Sequence, residues 1–185
     1  MMSRLDFDKF ISSQKVQSEE ELEVLDSKQQ LKEWLEYLQQ LYSEIEQYMK
    51  SYINAGTAKL SYHDIELNEE FIGPYSVPEM SLVIGRSTIT FKPVGTMLIG
   101  SKGRVDVQGP RGAIRLGLVN SAITHASQMI SITVSVLGSP APPEPTQNNK
   151  PIKWVWKIIT PAPQMKFIDL TEDNFFDMIL NVTDA

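Results

Sequence analysis

The stretch LKEWLEYLQQLYSEIEQYM, from Leu31 to Met49, decides the fold. Its large apolar residues recur at intervals of three and one, a spacing that places them along one side of an α-helix. These residues are Leu31, Trp34, Leu35, Leu38, Leu41, Tyr42, Ile45, Tyr48 and Met49. The other side carries glutamates and glutamines. The pattern therefore predicts a long amphipathic helix whose apolar side covers a core.

The flanking residues indicate where this helix begins and ends. Ser18 and Glu21 form a capping box, and Asn54-Ala55-Gly56 is a stop signal, so we expect a helix from about residue 19 to about residue 53. Residues 1–17 contain few large apolar side chains. We expect them to be a polar tail or a short docking helix.

After Gly56 the pattern changes to short β-rich runs, each bounded by Gly, Pro, Asn or Ser. The runs are LSYHDIEL, SLVIG, STITFKPVG, TMLIG, RVDVQG, AIRLGLVN, MISITVSVLG and IKWVWKII. In the first run the candidate inward positions, after a slip in the alternation, are Leu60, Tyr62, Ile65 and Leu67. Gly73-Pro74 and Val77-Pro78 predict a loop between the first two runs. No connection between the runs from SLVIG to MISITVSVLG is long enough for a parallel crossover, which takes a dozen or more residues. They predict a curved antiparallel meander of about six or seven strands.

The end of the chain, LTEDNFFDMILNV, predicts a short helix that Thr171 caps, with Phe175, Phe176, Ile179 and Leu180 facing inward. The fold class is therefore α+β, with the long N-terminal helix and the short C-terminal helix on one face of the meander. We expect a single domain over residues 18–185, with a proline-rich loop at 139–151.

Composition excludes several classes of protein. The chain has no cysteine, which excludes disulfides, thiolate zinc sites and cysteine nucleophiles. Asp6, Asp8 and Lys9 lie where a signal peptide needs an apolar run. No stretch approaches the roughly 18 apolar residues of a membrane-spanning helix. We expect a soluble bacterial protein of the cytoplasm that contacts no membrane.

Charge is distributed unevenly along the chain, whose net charge is −6. Residues 1–70 hold 7 basic and 15 acidic side chains. The basic side chains of residues 86–115 are Arg86, Lys92, Lys102, Arg104, Arg111 and Arg115, and Asp106 is the one acid there. An acidic first third and a basic middle can attract each other, within one chain or between two chains.

The glycine-rich stretch GTMLIGSKGRVDVQGPRG runs from Gly95 to Gly112. It departs from a phosphate-binding P-loop, because Gly100-Ser101-Lys102 exchanges the lysine and the hydroxyl, and Met97-Leu98-Ile99 fills the loop with apolar side chains. The glycines instead predict two hairpin turns, at Gly100–Gly103 and at Gly109–Gly112. In the strand between them, alternation places Arg104, Asp106 and Gln108 on one face, with Arg115 of the next strand near Asp106.

The residues do not indicate a catalytic or metal site. His63 and His125 are the two histidines, and neither has a second ligand nearby in sequence. The adjacent acids Glu69-Glu70 and Glu172-Asp173 are expected in a solvated loop and at a helix N-terminus. We predict no catalytic, cofactor-binding or metal-binding residue and favour a protein that is not an enzyme.

Nucleic-acid binding is a weaker interpretation of the basic segment. A basic sheet surface with stacking aromatic rings binds single strands, and Trp154 and Trp156 would supply the rings. Phe91 is the only aromatic residue within the basic segment itself, and the acidic helix would repel phosphate. We therefore keep nucleic-acid binding as a second alternative and do not expect it.

The sequence favours a protein-protein interaction module. In size, charge and architecture it has the general profile of small secretion chaperones and toxin-neutralising immunity proteins, and a homodimer through the N-terminal helix is a further possibility. The candidate interaction residues are Glu33, Glu36 and Glu44 on the helix and Lys102, Arg104 and Arg111 at the hairpin tips. The first alternative is a small-ligand or anion-binding domain, or an enzyme, with a pocket at Arg104, Trp154 and Trp156.

Overall fold

The computed structural model describes residues 4–96, 101–125, 152–163 and 165–183. Its elements are α1 (Arg4–Asn54), β1 (Ala58–Glu69), β2 (Gly73–Ile84), β3 (Ser87–Gly95), β4 (Ser101–Gly109), β5 (Gly112–Asn120), β6 (Trp154–Ile159), β7 (Phe167–Asp169) and α2 (Glu172–Thr183). The strands of this described part form one antiparallel sheet in the order of the chain. The α+β prediction is confirmed. The predicted strand MISITVSVLG, residues 97–100 of the predicted strand TMLIG, and the proline-rich loop at 139–151 lie outside the described residues.

Helix α1 buries the side that its apolar repeat predicts. The fully buried side chains of this helix are Trp34, Leu38, Leu41, Tyr42, Ile45 and Met49. The helix has 51 residues and begins at Arg4 instead of near residue 19. Residues 4–17 contain neither glycine nor proline, so the helix continues through them. The capping box at Ser18 and Glu21 is suited to a helix start but does not require one.

The set of β1 and β2 residues that face the core changes along the β1–β2 hairpin. Near the start of β1 the inward residues are even-numbered, as at Leu60 and its neighbour Leu82. Further along they are odd-numbered, as at Ile65 and its neighbour Val77. Two-stranded ribbons twist strongly, which allows such a change. The predicted inward positions are confirmed for Leu60, Ile65 and Leu67, whereas Tyr62, also expected to face inward, is 43% exposed.

Two prolines expected in a loop lie within β2 instead. Pro74 and Pro78 pair with Asn68 and Asp64 of β1. Strand β3 pairs with β2 only at Met80–Ile84, so the missing N–H groups of the prolines leave no gap in a ladder on that side. The loop prediction was wrong because a strand that is paired on one side only can hold proline where the proline nitrogen faces the unpaired side.

Of the two predicted glycine turns, one is confirmed and one is wrong. Gly109 pairs with Gly112, and Pro110-Arg111 forms the two-residue turn between β4 and β5. Gly103 lies inside β4, just after a β-bulge whose extra residue is Lys102. A Cβ atom on Gly103 would lie 2.2 Å from the Trp34 ring. This glycine is therefore required for space and not for a turn.

Helix α2 lies on the same face of the sheet as α1. Phe175 stacks on Phe91 of β3 at a ring-centroid distance of 6.4 Å and contacts Tyr48 of α1 at 5.5 Å. The Thr171 hydroxyl accepts a hydrogen bond from the Asn174 N–H at 3.3 Å, which confirms the predicted cap. Leu180, expected to face inward, is 56% exposed. No helix in the described part of the chain has the length and apolar character that crossing a bilayer requires.

Candidate functional site

Helix α1 and strand β4 meet at an ion pair between two residues predicted for different surfaces. The Lys102 Nζ atom donates to Glu33 Oε2 at 2.8 Å and lies 5.2 Å from the centroid of the Trp154 ring. The hydrogen bond from Lys102, supported by one from Gln29, lowers the pKa of the Glu33 carboxyl. The bulge at Lys102 directs this side chain towards α1, so Lys102 lies in a strand and not at a hairpin tip.

Two tryptophans pack beneath this ion pair. The Trp34 and Trp156 rings are 6.1 Å apart, and Trp156 Nε1–H donates to the Tyr37 carbonyl at 3.0 Å. Trp34 is 1% exposed, and its Nε1–H has no hydrogen-bond partner among the described residues. Burial and the hydrogen bond to Glu69 raise the pKa of the Tyr75 hydroxyl, and the neighbouring Trp34 opposes this shift with a smaller effect.

A cleft of about 290 Å³ opens beside the Glu33–Lys102 pair. Its lining consists of Asp26, Gln29, Gln30, Glu33, Trp34, Tyr37, Thr96, Ser101 and Lys102. The predicted pocket combined Arg104 with Trp154 and Trp156, which share one face of β6 as expected. Alternation along β4 directs Arg104 to the face opposite that of Gly103 and Trp34, so the structure does not bring Arg104 together with the two tryptophans.

A partly buried carboxylate, Glu69, ties the far end of the β1–β2 hairpin to the end of β3 and to α1. Glu69 accepts hydrogen bonds from the Thr96 N–H and hydroxyl at 2.8 Å each, and from the Tyr75 hydroxyl at 2.5 Å. Gln30 of α1 donates to the Thr96 hydroxyl at 2.9 Å. Gly95 has a φ of +131°, and a Cβ atom there would lie 2.8 Å from the Glu69 carboxyl carbon. The sequence prediction had placed Glu69 in a solvated loop.

The sheet face away from the helices carries a basic cluster around one acid. Arg104 binds Asp106 through two hydrogen bonds of 2.6 and 2.7 Å. Lys92 and Arg115 occupy the register positions on either side of Asp106. The predicted proximity of Arg115 to Asp106 is thus confirmed, but the arginine that pairs with the carboxylate is Arg104.

Three predicted interaction residues remain exposed. Glu36 lies 3.9 Å from Lys32 on the outer side of α1, and Glu44 accepts a hydrogen bond from the Tyr48 hydroxyl at 2.7 Å. Arg111 extends from the β4–β5 turn, whose position is fixed because the Arg111 N–H donates to the Val182 carbonyl at 3.0 Å. Of the six predicted residues, these three are available to a partner without breaking an ion pair to the sheet.

A larger groove of about 890 Å³ lies between the last turns of α1 and the start of β1. Its lining consists of Ser43, Glu46, Gln47, Lys50, Ile53, Asn54, Gly56, Ala58, Lys59, Leu60 and Tyr62. Tyr62 reaches across to α1, where its ring lies 5.6 Å from that of Tyr42 and its hydroxyl donates to Glu46. Sequence reasoning missed this groove, since it forms only when the helix crosses the edge of the sheet.

Buried Lys157 is a further residue that the sequence did not indicate. Its side chain is 3% exposed, and Nζ donates to the carbonyls of Ser121 and Ile123 at 3.1 and 2.9 Å and binds Asp169 at 3.1 Å. All three donors of the ammonium group are used, so this lysine holds the segment after β5 against β7. Its role is structural.

Within the described ranges, no group of three or more His, Asp or Glu side chains is arranged to hold a metal ion. His63 and His125 therefore form no metal centre among these residues. His63 Nε2 lies 2.9 Å from Glu79, and His125 forms an isolated β-bridge with Lys166. Comparisons with protein-family models, with curated proteins and with solved structures find no match for this chain.

Proposed function

We propose that this protein is a non-enzymatic interaction module that binds another protein, in the manner of a chaperone or an immunity protein, through α1. The observation that supports this proposal is the length of the helix. Described contacts with the sheet and α2 extend from Gln30 to Tyr52, and the helix continues from Gln30 to Arg4 over about 39 Å at 1.5 Å per residue. A helix of 51 residues offers a long surface to a partner.

Charge supports the same assignment. The sequence of α1 includes the acidic run Glu19, Glu20, Glu21 and Glu23. Glu36 and Glu44 continue the acidic character on its outer side, where both are exposed. Charge complementarity favours a partner with a basic docking surface. A second copy of this chain, bound through the apolar repeat of α1, is the alternative partner. The cysteine-free composition suits the reducing cytoplasm, where we expect the complex to form.

The proposal is tested by affinity capture from the lysate of the source organism, with mass spectrometry of the eluate. The bait is the full chain, compared with Glu36→Lys/Glu44→Lys and with the matched control Glu66→Lys/Asp177→Lys, which reverses two exposed acids elsewhere. We expect one stoichiometric protein that the first variant loses and the control retains. Capture of no protein, or equal capture by all three baits, contradicts a role for this helix surface.

A small-ligand or anion-binding role is the second candidate, and one feature of the cleft favours it. Trp34, whose Nε1–H has no hydrogen-bond partner among the described residues, lines a polar cleft that also presents Lys102 and Ser101. If the captured eluate contains no protein, ligand screening by thermal shift becomes the test. A ligand that raises Tm in the wild type and not in Lys102→Ala would favour the cleft over the helix.

A further inference from the structure

We propose that the groove beside β1 is the docking site for an extended segment of a partner protein, apolar and acidic at alternate positions, which adds to the sheet along Ala58–Tyr62. This inference rests on the proposed function and deepens it, because it states how the partner is held. The acidic outer side of α1 and this groove are separate surfaces.

The first step is the free edge of β1. This strand is the first in the sheet, and within the described residues it pairs only with β2. Its outward N–H and C=O groups are therefore a template for another strand. The opposite edge, β7, has only three residues, whereas Ala58–Tyr62 alone extends over about 17 Å.

The second step is the wall that α1 forms along this edge. Ala58 and Leu60 face α1, and Ile53 lies in the wall. Ala58 is 7% exposed, and Leu60 and Ile53 are half-buried, so the base of the groove is apolar. Side chains on one face of an added strand would pack there. A strand edge beside a helix with an apolar base between them suits β-strand addition.

The third step is the charge of the rim. Lys50 and Lys59 are exposed, and neither forms an ion pair with a described residue. The acid on the rim, Glu46, accepts a hydrogen bond from Tyr62. Lys59 points to the face opposite Leu60, so the strand position beside it favours an acid, as opposite charges do in cross-strand pairs. The segment that fits is apolar towards α1 and acidic on its other face.

The test uses a fluorescein-labelled peptide of sequence Val-Glu-Val-Glu-Val-Glu-Val and fluorescence polarisation with the full chain. We expect saturable binding that Lys50→Glu/Lys59→Glu weakens by about tenfold or more, which corresponds to about 1.4 kcal/mol. The matched control Lys28→Glu/Lys92→Glu makes the same charge change at exposed lysines outside the groove and should bind as the wild type does. A peptide with lysine in place of glutamate should bind weakly to the wild type.

Strand addition is tested separately from charge attraction. Methylating every backbone amide nitrogen of the peptide should abolish binding, and the unmodified peptide should slow hydrogen exchange in Ala58–Tyr62. Absence of binding up to about 1 mM peptide, the level of a 4 kcal/mol interaction, overturns the proposal. Equal binding by the methylated peptide also overturns it.

Two further outcomes separate this inference from the proposed function. If the affinity-captured partner binds equally well to Lys50→Glu/Lys59→Glu, the groove proposal fails while the interaction function stands. Sedimentation velocity identifies the other occupant of the groove: a wild-type dimer that this variant dissociates, without peptide binding, assigns the groove to a second copy and overturns the proposal.

Discussion

At position 103 the chain needs a residue without a side chain, because the Trp34 ring occupies the space where a Cβ atom would lie. We expect Gly103→Ala to lower the free energy of unfolding by about 1–3 kcal/mol, the usual cost of overpacking a well-filled core. Urea denaturation measures this change. Because the Trp34 ring is held between β4 and Trp156, it has little room to move away.

Gly112→Ala provides the matched control. It lies in the next strand, has no atom within 4 Å of an added Cβ atom and has no positive φ. Its free energy of unfolding should stay within about 0.5 kcal/mol of the wild type. If the two variants are equally stable, the close approach of Trp34 to Gly103 is wrong.

Residues were predicted best where local spacing alone determines their position. Arg104 and Asp106 are two positions apart on one strand, so alternation places them side by side, and they form an ion pair. Lys102 was placed at a turn because glycines flank it. In the structure a bulge directs it to α1, and only the packing of the helix on the sheet brings Glu33 within reach. No local pattern contains that contact.

At the scale of elements, the Glu33–Lys102 pair joins α1 to β4, and its contribution should depend on pH. Lys102 lowers the pKa of Glu33 in the folded protein from its ordinary value of 4.5. A lowered folded-state pKa stabilises the fold above 4.5, and this stabilisation is lost as the pH falls through the folded-state value. Since both side chains are more than a third exposed, the effect is at most about 1 kcal/mol.

Urea denaturation of the wild type and Glu33→Gln over a pH series measures this dependence. We expect the wild type to be the more stable above pH 4.5, and the difference to shrink as the pH falls below that value. The control Glu66→Gln removes an exposed carboxylate of β1 that has no such partner in the described structure. A difference between wild type and Glu33→Gln that does not change with pH would show that the pair does not form.

The elements differ in how far the sequence predicts them. The apolar repeat of α1 identifies its buried side chains, because a helix places every third or fourth residue on one side. The length of α1 was underestimated, because Ser18 is suited to a helix start but does not require one. The start of β2 was not predicted, because Pro74 and Pro78 are residues that normally break strands. Among the described residues, this part of β2 pairs with β1 but not with β3, and that arrangement cannot be read from the local sequence.

At the scale of the molecule, the acidic and basic parts of the chain are separated by the sheet. Helix α1 covers one face, whereas Arg104, Arg115 and Lys92 lie on the other face around Asp106. Within the described residues, the ion pair that joins the acidic part to the basic part is Glu33–Lys102. Both surfaces therefore stay available to partners. The sequence shows that acidic and basic residues are separated along the chain, but it does not show that they lie on opposite sides of a sheet.

This arrangement also predicts the response to nucleic acid. Trp154 and Trp156 lie on the helix side of the sheet, and the described residues of β3, β4 and β5 present no aromatic ring on the basic face. Bases would find no stacking platform there, and phosphate contacts alone are weakened strongly by salt. We expect no saturable binding of a fluorescent oligothymidine of about 20 nucleotides at about 0.15 M salt in a polarisation assay. Binding that Arg104→Ala/Arg115→Ala abolishes and the control Lys28→Ala/Lys32→Ala retains would instead assign the basic face to nucleic acid.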